Sequence, residues 1–308
     1  MYASPDAALL VTFPALDNTL GAVLVGSGVS SVLAGVFLHQ IFRYFRRYPK
    51  DHWSSKATIF ILCVLDLFHE ALIIHLCYYY MVSNYFRPSV LVDGVWSLRL
   101  IIPTTGVIVI ISHMFYARRV IILADNKRLV VPIVIISMIL IGLEIAFCTV
   151  TTCAIFRNIT FKRFAEDSSW LISTGLGISV LTDLLITGAM VVMLRRSRTG
   201  FKRTDSILDV LMLFAINTGL LASVVNLASV ITALVLPDAL IYCAIYLVAS
   251  KLYSNSVVAV LNSRRSRKKN RVETQNTETS WLEMNDLSSA VCRSDTNAEV
   301  TWNNPATA

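Results

Sequence analysis

Six ionisable residues lie near the middle of long apolar segments of this 308-residue chain, where a charged group is out of place. On insertion scales, a charge at the centre of a bilayer costs about 2.5–3.5 kcal/mol. Such residues are therefore the first candidates for contact with a ligand, an ion or a proton. This candidate intramembrane polar site consists of Asp66, His69, Glu70, Glu144, Asp183 and Lys251. His75 and His113 are predicted to lie closer to the ends of their segments.

Three of these residues are spaced as neighbours on one helix face. Asp66, His69 and Glu70 follow an i, i+3, i+4 pattern, which brings side chains together on an α-helix. A face made of a carboxylate, an imidazole and a second carboxylate is able to relay protons or to bind a cation. It is equally able to hold its helix to a neighbour by hydrogen bonds, and the sequence leaves these alternatives open.

The candidate site contains more acid than base, since four carboxylates accompany one central lysine. We expect Lys251 to neutralise one of them, with Asp183 or Glu144 as its natural partner. The remaining carboxylates must be protonated, paired with histidine, or paired with a cation that is not part of the chain, because an isolated charge is costly in an apolar medium.

The apolar segments predict an all-α, polytopic integral membrane protein. The chain is 55% hydrophobic and 15% charged, whereas a soluble domain carries about 25% charged residues. A spanning helix needs about 20 apolar residues. Seven segments satisfy this requirement: 19–42, 56–82, 95–117, 129–154, 169–194, 208–236 and 239–261. Only Pro237 and Asp238 separate the last two segments, so a re-entrant hairpin is the alternative there.

The loop charges predict the orientation. Twenty Lys and Arg residues lie on one side of the predicted membrane and four on the other. Because positive loops stay in the cytosol, the N-terminus is predicted outside and the C-terminus in the cytosol. The chain then divides into an outer tail at 1–18, a membrane domain at 19–263, and a polybasic patch with a disordered cytosolic tail at 264–308. A glycosylation sequon at Asn158 falls in an outer loop.

One cytosolic loop is a candidate contact for anionic lipid headgroups or for a cytosolic partner, because it concentrates positive charge. Its cations are Arg195, Arg196, Arg198, Lys202 and Arg203. Orientation accounts for this charge, so nucleic-acid binding is not expected.

Catalytic machinery is not recognisable in the sequence. There is no Gly-rich phosphate loop, nucleophile elbow or His-x-x-x-His pair. Lys251 is placed like a retinal lysine, but an acid four residues earlier is missing, since Leu247 stands there. We therefore expect no enzyme activity, no cofactor and no metal site.

Five stretches carry a family resemblance. These are RYPKDHW at 47–53, RRSRTGFKRTDS at 195–206, INTGLLAS at 216–223, PDALIY at 237–242 and SKLYSNS at 250–256. Together they resemble a fungal, mainly basidiomycete, family of seven-helix membrane proteins labelled the domain of unknown function 6534. The resemblance extends over about residues 18–265. It implies a seven-helix fold, a membrane location and a fungal origin, and it implies no activity.

The leading functional expectation is a receptor-like or sensory membrane protein with an unknown ligand. The alternatives are a proton- or cation-linked transporter that uses the central carboxylates, and a structural membrane protein. Transporters often contain internal repeats, and no convincing halves are visible here, which favours the receptor-like role. The plasma membrane and an endomembrane both remain open as the location.

Overall fold

Seven α-helices follow one another in a computed structural model that describes residues 17–84, 94–123, 127–157, 161–196, 219, 221–236 and 240–263. They are α1 (Ala22–Arg47), α2 (Trp53–Tyr78), α3 (Trp96–Leu123), α4 (Lys127–Arg157), α5 (Phe161–Arg196), α6 (Leu221–Val235) and α7 (Ile241–Ser263). Short π-helical turns, Asp17–Gly21 and Tyr79–Ser83, precede α1 and extend α2. The described residues contain no β-strand, and the predicted all-α class is confirmed.

Six of the helices are long and apolar enough to cross a membrane. Their spans are Thr19–Arg47, Trp53–Ser83, Trp96–Ile122, Val131–Arg157, Trp170–Met193 and Ile241–Ser263. Each lies within a few residues of a predicted segment. The described part of the sixth predicted segment, α6, is shorter than a spanning helix, and residues 208–218 of that segment lie outside the described residues.

The outer faces of these helices are apolar, which fits lipid and does not fit water. On α4, for example, Ile135, Ile136, Ile139 and Leu143 are all exposed. Exposed apolar surface on this scale marks contact with a membrane or another protein. Length, composition and exposed surface together make the chain an integral membrane protein.

The core of the bundle is built around α7. Tyr253, Val257 and Leu261 pack in one apolar cluster with Phe37 of α1 and Ile108 of α3. Nearer the start of the helix, Leu247 packs with residues of α1, α2 and α3 in a second cluster. This bundle forms one compact unit that ends at Leu261. Of a second unit, 262–308, the structure describes only Asn262 and Ser263, so the predicted tail lies outside the described residues.

Small residues let α1 approach α7 closely. Gly26, Ser30 and Ala34 form a buried row with four-residue spacing along α1. A Cβ atom added to Gly26 would lie 2.8 Å from the Cβ of Ala244 in α7 and 2.9 Å from its carbonyl oxygen. Without a hydrophobic force between helices in lipid, such close packing is a main source of association.

The turn between α1 and α2 is held by the residues of the RYPKDHW stretch. The Tyr44 hydroxyl donates to Asp51 Oδ2 at 2.6 Å, and Lys56 Nζ donates to the carbonyl oxygen of Pro49 at 2.6 Å. The Ser54 backbone N–H donates to Nδ1 of His52, which caps the start of α2. This stretch therefore has a structural role in ordering a short loop.

Replacing Gly26 with Ala should destabilise the bundle by about 1–3 kcal/mol, because the added methyl group overpacks the contact with Ala244. The matched control is Gly28→Ala, since a Cβ at Gly28 meets nothing within 4 Å. That control should be neutral or slightly stabilising, because alanine favours a helix. Unfolding of the purified protein in detergent measures both effects. Equal stability of the two variants would contradict the close α1–α7 contact.

Candidate functional site

A buried lysine network joins α2 to α7. Lys251 Nζ lies 3.1 Å from Asp66 Oδ2, 3.1 Å from Glu70 Oε2, and 3.0 Å from the main-chain oxygen of Asp66, to which it donates. Lys251 is completely buried. The expectation that it pairs with Asp183 or Glu144 is therefore wrong. The four-residue spacing of Asp66 and Glu70 turns both carboxylates towards α7. A single helix therefore supplies both acids that pair with Lys251.

Two serines of α1 complete the lysine network. The Ser31 hydroxyl donates to Glu70 Oε1 at 2.5 Å, and the Ser30 hydroxyl donates to Glu70 Oε2 at 3.3 Å. Both oxygens of this carboxylate therefore have a donor. A hydroxyl in a row of small residues can therefore serve both close packing and a hydrogen bond to a neighbouring helix.

His69 does not complete the predicted carboxylate–imidazole–carboxylate face. Its Nε2 lies 2.8 Å from the Thr105 hydroxyl oxygen, which connects α2 to α3. The two carboxylates on α2 turn towards Lys251 instead. One turn of α2 thus contacts α1, α3 and α7, and the structure divides the residues that the spacing had grouped together.

A second buried network centres on His113. Its Nδ1 lies 2.9 Å from Glu144 Oε2 and its Nε2 lies 2.9 Å from Asp183 Oδ1. The Tyr253 hydroxyl donates to Asp183 Oδ2, and Asn226 Nδ2 donates to the Tyr253 oxygen at 2.6 Å. These five residues come from α3, α4, α5, α6 and α7. We refer to them as the histidine network.

The placement of His113 near a membrane boundary was therefore wrong. The predicted segment ended at residue 117, whereas α3 continues to Leu123 as an unbroken helix. The extra turns include Arg118 and Arg119, whose charges had suggested that the helix ended earlier. The longer helix moves His113 inward, where it is 1% exposed and contacts two carboxylates.

The histidine network carries an excess negative charge. A neutral imidazole donates from only one nitrogen, so two bonds to carboxylates require an imidazolium or one protonated carboxyl group. Both arrangements leave one net negative charge on His113, Glu144 and Asp183 together. The lysine network has the same balance when Asp66 and Glu70 are both ionised.

The histidine network separates two cavities. The larger, of about 110 Å³, has Glu144, Ser179 and Asn226 among its lining residues. The smaller, of about 20 Å³, is lined by His113 and Asp183, among others. The larger cavity lies towards one end of the bundle. Most of its other lining residues lie in the first half of the spans Trp96–Ile122, Trp170–Met193 and Ile241–Ser263 and in the second half of Val131–Arg157, and they include Leu98, Ile155, Ile172 and Tyr242.

The remaining predicted contact residues are only partly described. Arg195 is exposed in the last turn of α5, and the main chain of Arg196 ends that helix. Arg198, Lys202, Arg203 and the sequon residue Asn158 lie outside the described residues. Among the residues that the structure describes, no three or more His, Cys, Asp or Glu side chains are arranged to hold a metal ion.

Fold and site together define an all-helical membrane protein with a polar interior and a cavity beside it. The model of the family of unknown function DUF6534 matches residues 179–266. This is a shorter match than the resemblance over 18–265, and RYPKDHW lies outside it. The matched region nevertheless contains Asp183, Asn226, Lys251 and Tyr253. No curated protein and no solved structure matches the chain.

Replacing Lys251 with Met should destabilise the protein by about 3–5 kcal/mol, because two buried carboxylates then lose their cation. Adding Asp66→Asn and Glu70→Gln to the same chain should restore most of this loss, since the triple variant has no unpaired charge. Denaturant unfolding in detergent micelles checks both values. Arg195→Met, at an exposed cation, is the control and should change stability by less than about 1 kcal/mol.

If the triple variant were no more stable than Lys251→Met alone, the ion pairs would not be the reason for the loss.

Proposed function

We propose that this chain is a receptor-like or sensory multi-pass membrane protein whose ligand binds in the larger cavity. The observation that carries this proposal is the position of Glu144. It lines the cavity and is hydrogen-bonded to His113, so the cavity wall is continuous with a network of five helices. A ligand that contacts Glu144 would act on the link between α3, α4 and α5.

Such a network offers a physical route from ligand to helix packing. A ligand shifts a conformational equilibrium only by its differential affinity for the two states. A donor at Glu144 Oε1 would draw negative charge away from Oε2 and so weaken the bond between Glu144 Oε2 and His113. Because His113 also bonds Asp183, a change at one carboxylate alters the interaction of α3 with α5.

We further propose seven membrane spans, with the N-terminus outside and the C-terminus in the cytosol. The excess of cations on one side of the membrane supports this orientation. Under it the larger cavity lies in the outer half of the bundle, where an external ligand would arrive. The family resemblance supports a fungal origin, and either the plasma membrane or an endomembrane is compatible with it.

In cells, an N-terminal epitope tag should be accessible from outside or from the lumen, and a C-terminal tag only after permeabilisation of the plasma membrane. The reason is the energetic preference for cytosolic Lys and Arg in short loops. Protease protection of each tag in sealed microsomes provides the measurement, and detergent-opened microsomes are the control. If the protease cleaved both tags in sealed microsomes, or cleaved neither, the two termini would lie on the same side of the membrane. That result would contradict an odd number of spans.

The partners that we propose are the lipid bilayer, anionic headgroups at the cytosolic basic loops, and a cytosolic protein at the loop around residues 195–203. Each basic residue near an anionic surface contributes about 1 kcal/mol of attraction. We propose no catalytic activity and no nucleic-acid partner, because the sequence contains no catalytic motif and its positive charge is accounted for by orientation.

Replacing the five cations of the 195–203 loop with Gln should abolish capture of a cytosolic partner by the purified protein in nanodiscs. The control neutralises Arg43, Arg46, Arg47 and Lys50 at the end of α1 and just after it, which lowers the cytosolic charge by four instead of five. Nanodiscs with neutral lipid remove the contribution of anionic headgroups. Capture that follows total charge, and is lost equally in both variants, would favour lipid attraction over a specific partner.

A proton-linked carrier is the second candidate, and the two cavities favour it. A proton that reaches Glu144 from the larger cavity can pass to His113 Nδ1. The imidazole then releases the proton on Nε2 to Asp183, which lines the smaller cavity.

Proton uptake by proteoliposomes with a trapped pH-sensitive dye separates the two candidates. A carrier would acidify its lumen in a way that Asp183→Asn abolishes and Glu70→Gln preserves. If the folded wild-type protein showed no proton uptake, the carrier would be rejected and the receptor-like role would stand. If ligand binding, partner capture and flux were all absent, a structural role would remain.

A further inference from the structure

One carboxylate oxygen of Glu144, a residue that lines the larger cavity, has no hydrogen-bond partner among the described residues. Glu144 is 6% exposed, its Oε2 contacts His113, and its Oε1 makes no hydrogen bond to any residue that the structure describes. A buried charged acceptor that lacks a donor is costly, because it has lost its hydration without compensation. A residue that lines the cavity therefore has unused capacity to accept a hydrogen bond.

The charge balance specifies what the missing donor should be. With His113 as an imidazolium and both carboxylates ionised, the histidine network keeps one negative charge. A water molecule could donate to Glu144 Oε1 but would leave that charge uncompensated. A monovalent organic cation would supply both the hydrogen bond and the charge.

The walls of the cavity specify the remainder of the ligand. They are mainly apolar, with Ile101, Val109, Phe147 and Leu176 among the lining residues. The described lining residues include no Lys or Arg that would compete for the carboxylate. A volume of about 110 Å³ is suited to a body of a few carbon atoms, since a cavity of about 150 Å³ holds benzene.

We propose that this cavity binds a small primary amine, with the ammonium group at Glu144 and a short branched apolar body against the wall. An ammonium group has three donors. Glu144 Oε1 supplies one acceptor, and Ser179 and Asn226, whose side chains also carry oxygen, line the same cavity. A Ca²⁺ ion is a poor fit, because it requires about six to eight oxygen ligands and Glu144 is the one carboxylate among the described lining residues. This inference rests on the proposed ligand-binding role and names the ligand class.

The test uses the full-length protein in nanodiscs and three probes of similar size. 3-Methylbutylamine is the cation, 3-methylbutan-1-ol is the neutral match and 3-methylbutanoate is the anion. Saturation-transfer NMR measures binding after subtraction of empty nanodiscs. The amine should bind at least about tenfold more tightly than the alcohol, because a hydrogen bond to a charged group is worth about 1.5–3 kcal/mol. The anion should not bind.

Variants assign this preference to Glu144. Glu144→Gln should reduce the preference for amine over alcohol to about onefold, while Glu70→Gln, in the lysine network, should keep it. Wild-type protein without any preference, or a preference that persists in Glu144→Gln, would overturn the proposal.

A matched pair of glycines tests the cavity without any change of charge. Gly175 lines the cavity, and a Cβ there would lie 3.7 Å from the Cβ of Phe147, whereas a Cβ at Gly177 meets nothing within 4 Å. Gly175→Leu should abolish binding of both amine and alcohol, and Gly177→Leu should preserve it. Equal binding by the two variants would place the probe elsewhere and overturn the site.

Should Glu144→Gln fail to fold, this pair and the comparison of the three probes still decide the question. Failure of amine binding with intact capture of the cytosolic partner would reject the amine and leave the receptor-like role in place.

Discussion

The whole bundle depends on one constraint, which is that ionised groups inside a membrane must be paired. Of the four carboxylates among the apolar helices, Asp66, Glu144 and Asp183 are buried and Glu70 is partly buried, and each must find a donor or a proton. The structure divides them into two pairs, with Lys251 between Asp66 and Glu70, and His113 between Glu144 and Asp183. Because every partner lies on another helix, the bonds that compensate charge are also the bonds that fix helix positions.

The α7 segment SKLYSNS connects the two networks. Lys251 and Tyr253 are two residues apart, which is a rotation of about 200° about the helix axis, so their side chains point in nearly opposite directions. One contacts the acids of α2, while the hydroxyl of the other contacts Asp183 of α5. Asn255 adds a third contact, donating to the main-chain oxygen of Leu33 in α1 at 3.0 Å. A segment that contacts several helices in this way has to be polar and buried at once, which explains its composition.

The sequence was sufficient to predict the class, the six long spans and five of the buried ionisable residues that form the two networks. It could not predict their pairing, because spacing specifies the face of a helix and not the helix opposite that face. Lys251 illustrates this limit, because its partners are the two acids of α2 and not Asp183 or Glu144, as the sequence had suggested. His113 was missed because Arg118 and Arg119 suggested an early end to α3, whereas long cationic side chains can extend from a continuing helix to the headgroups. The cavity arises from packing between helices, and no local pattern encodes it.

The two networks have the same charge balance but different surroundings, and this difference separates structure from function. In the lysine network, both oxygens of Glu70 accept hydrogen bonds from serines of α1, and neither of its carboxylates lines either cavity. In the histidine network, Glu144 lines the larger cavity and has one oxygen without a described partner. Asp66 Oδ1 in the lysine network likewise makes no hydrogen bond to any residue that the structure describes, so what distinguishes Glu144 is that it lines a cavity. The unpartnered oxygen of the histidine network belongs to a residue that lines the larger cavity, and for this reason the proposed ligand site is at Glu144.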